Sequence, residues 1–287
     1  MLIKINTKKI IHLMIAVSFV LLASCSTSFA YNNLPWLSSF WVDDYIDLNS
    51  SQAKQLKIII KQTRNWHRQV ELPKYKQDLI KLQKTFNSEF NISDLTQQVT
   101  VAKLHWSNLL IQVKTPLIEL AKTLSTKQQQ ELVTNIQANL ADELKQYQEQ
   151  TAQQLSEERL KEQLNYYKDW LGKLTKQQTQ LITLANEQHI NTFVLWQRYK
   201  QNRLNALQYA FHYELRNVEQ FDQQMGIIIT EREYFISEEL AAKNQANLMT
   251  HVNLLVSLNS TLSDKQRRHV NKHFAELIET VDDLIAD

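Results

Sequence analysis

Glycine and proline together occupy only five of the 287 positions in this chain, and that scarcity constrains the fold more than any other feature. The glycines are Gly172 and Gly226, and the prolines are Pro35, Pro73 and Pro116. Two-residue hairpins, β-bulges and phosphate-cradling loops rely on backbone conformations that glycine adopts without penalty. Sheet-rich and nucleotide-binding folds therefore lack their raw material here. Glutamine, lysine, leucine, alanine and glutamate dominate instead, and all are good helix formers.

Apolar residues recur at steps of three and four, as one face of a helix requires. Leu56, Ile59, Thr63, Trp66 and Val70 form one such stripe. Leu204, Leu207, Phe211, Leu215, Val218 and Phe221 form a second, and Val270, Phe274, Leu277, Val281 and Leu284 a third. The pattern predicts an all-α fold, an elongated bundle of long helices with two related halves over 35–152 and 153–287. Helices are expected near 35–46, 50–90, 93–122, 125–150, 156–172, 175–223, 227–258 and 263–285. Pro73 and Pro116 should kink or divide the helices that contain them, because each ring removes a hydrogen bond. The 175–223 segment would be about 70 Å long at 1.5 Å per residue, so an unmarked break inside it is allowed for.

The N-terminus has its own logic. Lys4, Lys8 and Lys9 precede a largely apolar run from Ile10 to Ala23, too short for a comfortable membrane span and suited to a signal-peptide core. The run ends in Leu22-Ala23-Ser24-Cys25, which resembles the lipobox cut by bacterial lipoprotein signal peptidase. Cys25 is the only cysteine, so no intramolecular disulfide can form, whereas a lone thiol at this place is what lipid transfer needs. The competing readings are an ordinary signal peptide cut near Ala30, which would discard Cys25, and a retained membrane anchor. The lipobox reading makes 1–24 a signal peptide and 25–34 a lipid-anchored linker. Ser26, where aspartate would mark inner-membrane retention, resembles the outer-membrane default, with the body facing the periplasm. Cleavage removes three of 32 basic residues and none of the 30 acidic ones, so the charge falls from +2 to −1. A nucleic-acid partner then loses its electrostatic basis.

One short pattern occurs four times: Leu48-Asn49-Ser50-Ser51-Gln52, Leu124-Ser125-Thr126-Lys127-Gln128, Leu174-Thr175-Lys176-Gln177-Gln178 and Leu262-Ser263-Asp264-Lys265-Gln266. A degenerate fifth copy is Leu155-Ser156-Glu157-Glu158-Arg159. Locally, Asn, Ser or Thr caps a helix, Gln three residues later closes a capping box, and the leucine acts as a staple. The pattern also resembles the Leu-Thr-x-x-Gln motif of the spheroplast-protein-Y and CpxP family of periplasmic chaperones. That resemblance implies a helical cradle that binds partly unfolded clients without ATP. The motif starts pair as 48 with 124 and 174 with 262, 76 and 88 residues apart, so one chain could hold two related halves. Capping without common ancestry accounts for the pattern equally.

A second resemblance covers more of the chain. Tyr31-Asn32-Asn33, Trp36 and the block from Phe40 to Leu48, followed by Trp66-His67-Arg68 and Glu71-Leu72-Pro73-Lys74-Tyr75, are similar to a family of proteobacterial lipoproteins of unknown function. It implies an anchor and a helical body, and no activity.

Other candidates for chemistry are sparse. Asp43, Asp44 and Asp47 are the densest acids, and Asp43 and Asp47 lie one helical turn apart and could share a cation. Acids are also expected near a helix beginning, and Trp41 and Tyr45 mark the neighbouring face as packing surface. His269 and His273 have the i, i+4 spacing of a metal pair, but no cysteine supports them and Arg267, Arg268 and Lys272 oppose a cation. Trp66-His67 and His105-Trp106 pair an indole with an imidazole, and Trp66 on its stripe is expected in the core. No Gly-x-Ser-x-Gly elbow occurs and the sole cysteine sits at the lipobox, so neither an enzyme nor a cofactor is expected. Two roles stay open: a chaperone-like binder of unfolded envelope proteins, and a structural adaptor with one envelope partner.

Overall fold

The computed structural model describes residues 27–88, 91–213 and 217–287. Among them the chain forms α-helices with one π-helical and one 3-10 turn, and no strand. In chain order these are α1 (Leu34–Asp43), α2 (Ser50–Trp66), a π-turn (His67–Glu71), α3 (Leu72–Phe86), α4 (Ile92–Lys122), α5 (Thr126–Gln148) and α6 (Ala152–Leu171). They continue as α7 (Lys176–Glu187), α8 (Phe193–Tyr213), α9 (Val218–Thr230), a 3-10 turn (Arg232–Phe235), α10 (Glu238–Ser260) and α11 (Asp264–Ala286). The fold is all-α, and the bundle is elongated.

The apolar interior is divided, which suits that shape. One core gathers Phe86, Tyr167, Ile182, Leu254, Leu258 and Phe274 from α3, α6, α7, α10 and α11. A second joins Ile118, Ala210, Phe221 and Met225 from α4, α8 and α9. A third sets Leu56 and Ile59 of α2 against Leu120 of α4, with Val42 of α1 and Leu48 beside them. The stretches 35–152 and 153–287 are interleaved: α3 lies along α11, α5 along α8, and α4 touches both α9 and α10. Each half completes the other's core.

Several helix bounds differ from the expected ones, each for a physical reason. The expected helix at 50–90 is split by the π-turn, where Leu72 N–H bonds His67 O one residue beyond the α-helical partner. Pro73, in the first turn of α3, has no N–H to continue the ladder, and the wider turn absorbs the missing bond. By contrast, α4 runs through Pro116 without interruption. The helix expected from 156 starts at Ala152, because Thr151 and Gln154 form a capping box one turn earlier. The degenerate motif at Leu155–Arg159 therefore lies inside α6, not at its start. Gly172 ends α6 at φ 73°, a conformation other residues adopt only under strain.

The expected 175–223 helix is three helices. Its first break, after Glu187, carries neither glycine nor proline, and it is held by a distant residue. Asn247 of α10 accepts a bond from Ile190 N–H at 2.9 Å and donates one to Ile190 O at 2.8 Å. The second break falls at Asn217, an extended residue that caps α9, so the stripe read across 204–221 is discontinuous and Val218 is exposed. The expected 227–258 helix is likewise interrupted, with α10 starting only after the Ser237 cap. Nor are residues 27–34 a free linker: 27–32 are helical, and Ser28 and Asn32 donate to Asp287 at the far end of the chain at 2.5 and 2.8 Å.

Candidate functional site

The four repeated motifs converge in pairs. Locally each is a closed capping box: Asn49, Ser125, Thr175 and Ser263 accept from the backbone N–H three residues on, and Gln52, Gln128, Gln178 and Gln266 accept from the cap's own N–H. A box uses only the amide oxygen, which leaves each glutamine's Nε2 to reach outwards. Gln52 and Gln128 bond each other reciprocally, at 3.1 and 2.7 Å. Gln178 and Gln266 do the same at 3.1 and 2.9 Å. The remaining donors follow one scheme. Gln52 reaches Thr123 O at 2.7 Å and Gln178 reaches Thr261 O at 3.4 Å, so each ties the start of its helix to the end of one later in the chain. Gln128 reaches Asp47 O at 2.7 Å and Gln266 reaches Lys173 O at 3.2 Å. Two equivalent clasps result, one joining α2 to α5 and one joining α7 to α11. Leu174 and Leu262 pack into the first core, and Leu48 into the third. Gln178 has no exposed surface, and Gln52 and Gln266 are buried.

A second polar node was not legible as a unit. Glu71, at the end of the π-turn, is completely buried. Its carboxylate accepts from Lys74 Nζ at 2.7 Å, from Asn108 Nδ2 at 3.3 Å and from His105 Nδ1 at 2.8 Å. The other ring nitrogen of His105 lies 2.7 Å from Asp78 Oδ2. Each ring nitrogen of His105 thus faces a carboxylate, so the ring bridges Glu71 and Asp78. Burial pushes the Glu71 carboxyl up, but the hydrogen bonds from Lys74 and His105 outweigh it and hold the group below its usual range. Tyr75 stands edge-on between His105 and His67, and Tyr31 Oη lies 3.0 Å from His67 Nδ1. Burial holds His67 below its usual pKa. A cavity of about 360 Å³ opens beside Tyr75, Asp78 and His105, and its other walls are mainly aliphatic. The node fastens the π-turn and α3 to α4. The sequence signals for it were the two indole–imidazole pairs and the Tyr31 and Glu71–Tyr75 blocks of the family resemblance, none of which linked these residues to one another.

A groove of about 740 Å³ opens between α4 and α10. Val99, Trp106 and Leu110 line its α4 wall, with Trp196, Ile236 and Leu248 opposite, and Lys103, Arg232, Glu233, Asn244 and Gln245 supply polar atoms. The Arg232 guanidinium stands 5.8 Å from the centre of the Trp106 ring, within cation–π range. Trp106 is thus a groove residue and half-exposed, whereas Trp66 is partly buried.

The acidic candidates are not gathered. α1 stops at Asp43, so Asp43 and Asp47 do not share a helix face, and Asp43 stands at a helix end rather than a beginning. Asp43, Asp44 and Asp47 are all exposed. Trp41 is also exposed, so it marks no packing surface on this chain. His269 and His273 do face one way. Their Nε2 atoms are 3.3 Å apart, and each lies 2.9 Å from the backbone oxygen of Asp169 in the last turn of α6. Both rings thereby fasten α11 to α6. Among the described residues no three His, Cys, Asp or Glu side chains group so as to hold a metal ion. Among them, too, no helix is long and apolar enough to cross a membrane. Cys25 lies outside the described residues.

The interleaved bundle with its paired clasps defines an all-helical protein. The chain belongs to a family of unknown function (DUF6279), whose sequence model matches residues 44–241. The match takes in the first clasp, the Glu71 node and Gln178, and stops short of Gln266. No curated protein and no solved structure matches the chain.

Proposed function

We propose that this protein is a lipid-anchored envelope protein, non-enzymatic and independent of nucleotide, whose body holds apolar segments of unfolded envelope proteins. The observation that carries this reading is the groove between α4 and α10, with two indoles on its walls and charges of both signs around them. Such a lining suits an extended chain: aromatic and aliphatic walls bury its apolar side chains, while polar groups meet its backbone. The fourfold motif, similar to that of the periplasmic chaperones, agrees with this role. The clasps would then act as fixed joints that keep the groove walls in register rather than as contacts to the client. The apolar run before Leu22-Ala23-Ser24-Cys25 supports export, lipid at Cys25 and residence at the outer membrane facing the periplasm.

The test is light scattering with a chemically unfolded protein, mixed at comparable micromolar concentration with the chain lacking residues 1–25. The expected result is suppressed aggregation without ATP, weakened when Trp106 and Leu110 are both replaced by Ser. Aggregation equal to that seen beside an inert protein of similar size and charge would end this reading. The second reading, an adaptor with one dedicated partner, is favoured by the fixed geometry of Arg232, which Tyr199 Oη and the Trp106 ring hold in place. A pull-down from envelope extract separates the two: many unfolded clients support the binder, and one stoichiometric partner supports the adaptor.

A further inference from the structure

The helical start of the described chain carries an aromatic face that stands exposed among the described residues. Phe29, Trp36, Phe40 and Trp41 are 60%, 52%, 55% and 59% exposed, although rings of this size are normally shared with a core. Trp36 and Phe40, four residues apart on α1, share one face of that helix, and Phe29 lies on the helical turn just before it, across the turn at Asn33. The Trp36 and Phe40 rings meet edge to face with centroids 4.9 Å apart, and Trp41 extends the patch sideways.

This face is held outwards by what happens behind it. Tyr31 Oη donates to Arg64 O at 3.2 Å and lies against His67. Arg64 and Arg68 both donate to Asn32, and Ser28 and Asn32 grip Asp287. Val42 packs into the third core, and Ser38 is buried. Rolling the helix to hide its rings would break every one of these bonds.

We infer that this face lies in the interfacial layer of the bilayer that carries the protein's own lipid anchor. The inference rests on the lipid-anchor reading for its choice of occupant. Cys25 stands four residues before Phe29, so lipid on Cys25 brings the membrane within about 14 Å of that ring, even with the chain between them fully extended. The chemistry agrees. Tryptophan is enriched at the headgroup level, and exposed Phe and Leu-type surface binds there by burying apolar area. From Thr27 to Val42 no residue is charged, so the contact would not depend on anionic lipid. Asp43, Asp44 and Asp47 follow at the far end, exposed, where they would disfavour anionic headgroups and turn that end towards water. The consequence is orientation: the anchor is no loose tether, and the body stands on the membrane by a fixed face.

The test exploits Cys25 as the only thiol. The chain from Cys25 to Asp287, made without acylation, is coupled to a maleimide-headgroup lipid in phosphatidylcholine vesicles whose acyl chains are brominated. Tryptophan quenching by bromine is expected in the wild type, with little change when salt is raised. Trp36→Phe with Trp41→Phe should lose most of that quenching, and Trp106→Phe should keep it. Equal quenching with and without Trp36 and Trp41, or none in the wild type, would overturn the inference. So would a finding that Phe40→Ser with Trp41→Ser dissociates a dimer in solution while quenching by Trp36 stays unchanged, since the face would then belong to a second copy. Because coupling is chemical, quenching that persists while cells fail to acylate Cys25 would sink the anchor and leave the membrane face standing.

Discussion

Replacing Gln178 by Leu should be among the most damaging single changes this protein can suffer, although no charge, cavity or catalytic group is involved. The side chain is fully buried and of similar volume to leucine, so packing alone predicts a small effect. Its amide, however, serves three neighbours. Gln178 Oε1 accepts from Thr175 N–H at 3.0 Å and from Gln266 Nε2 at 2.9 Å. Its Nε2 donates to Gln266 Oε1 at 3.1 Å and to Thr261, through the carbonyl and the hydroxyl. Leucine would strand those groups out of reach of water, and each buried group left unpaired costs about 1–3 kcal/mol. Partial relaxation and the gain from an apolar side chain offset some of this, so the expected loss is about 3 kcal/mol. Gln266→Leu should cost a similar amount for the reciprocal reason. The double variant removes both ends of the clasp together and leaves no amide facing an apolar wall. Its loss should therefore be at least about 1 kcal/mol smaller than the sum of the single losses. Urea unfolding followed by circular dichroism, with the slope held constant, measures all four corners of the cycle. At the first clasp Gln128 is only half-buried, and water can replace its bonds, so Gln128→Leu should cost about 1 kcal/mol. Strict additivity at Gln178 and Gln266, or a loss at Gln178 no larger than at Gln128, would refute the argument that burial makes the second clasp the stronger joint.

Two further predictions concern the anchor and acid. Metabolic labelling with a fatty-acid analogue should mark the wild type and not Cys25→Ala, and equal labelling of both would remove the lipid from the account. Burial holds His67 and His189 below the usual imidazole range, so their unfolded forms take up protons first as pH falls. Groups with depressed folded pKa values contribute stability that is full above the unfolded value and lost on acidification through the folded one. Glu71, also held low, acts in the same direction in the carboxylate range. The urea midpoint should therefore fall once the pH drops below about 6.5 and fall again below about 4.5, and His67→Phe should flatten the first step. A midpoint that rises between pH 7 and 5.5 would contradict the sign.

What could be read from the chain alone acts over one or two helical turns. Glycine and proline scarcity and the three-and-four spacing are local properties, and they suffice for helices without strands. The capping boxes at Asn49, Ser125, Thr175 and Ser263 need only a side chain and a backbone N–H three residues on, so the sequence carries both partners side by side. Tertiary structure decided what those local units meet. The Thr151 box was equally local but offered no leucine before it, and α6 began earlier than its stripe suggested. The break after Glu187 has no breaker residue because Asn247, 57 positions away, supplies the bonds that compensate for it. The same holds for the reciprocal bonding of Gln178 with Gln266, for the His105 bridge between Glu71 and Asp78, and for the exposure of Trp36, Trp41 and Trp106. Periodicity tells which side of a helix is apolar; it does not tell whether a neighbour arrives to cover that side. Coverage depends on which distant helix packs there, and that is settled only when the clasps and the interleaved cores form together.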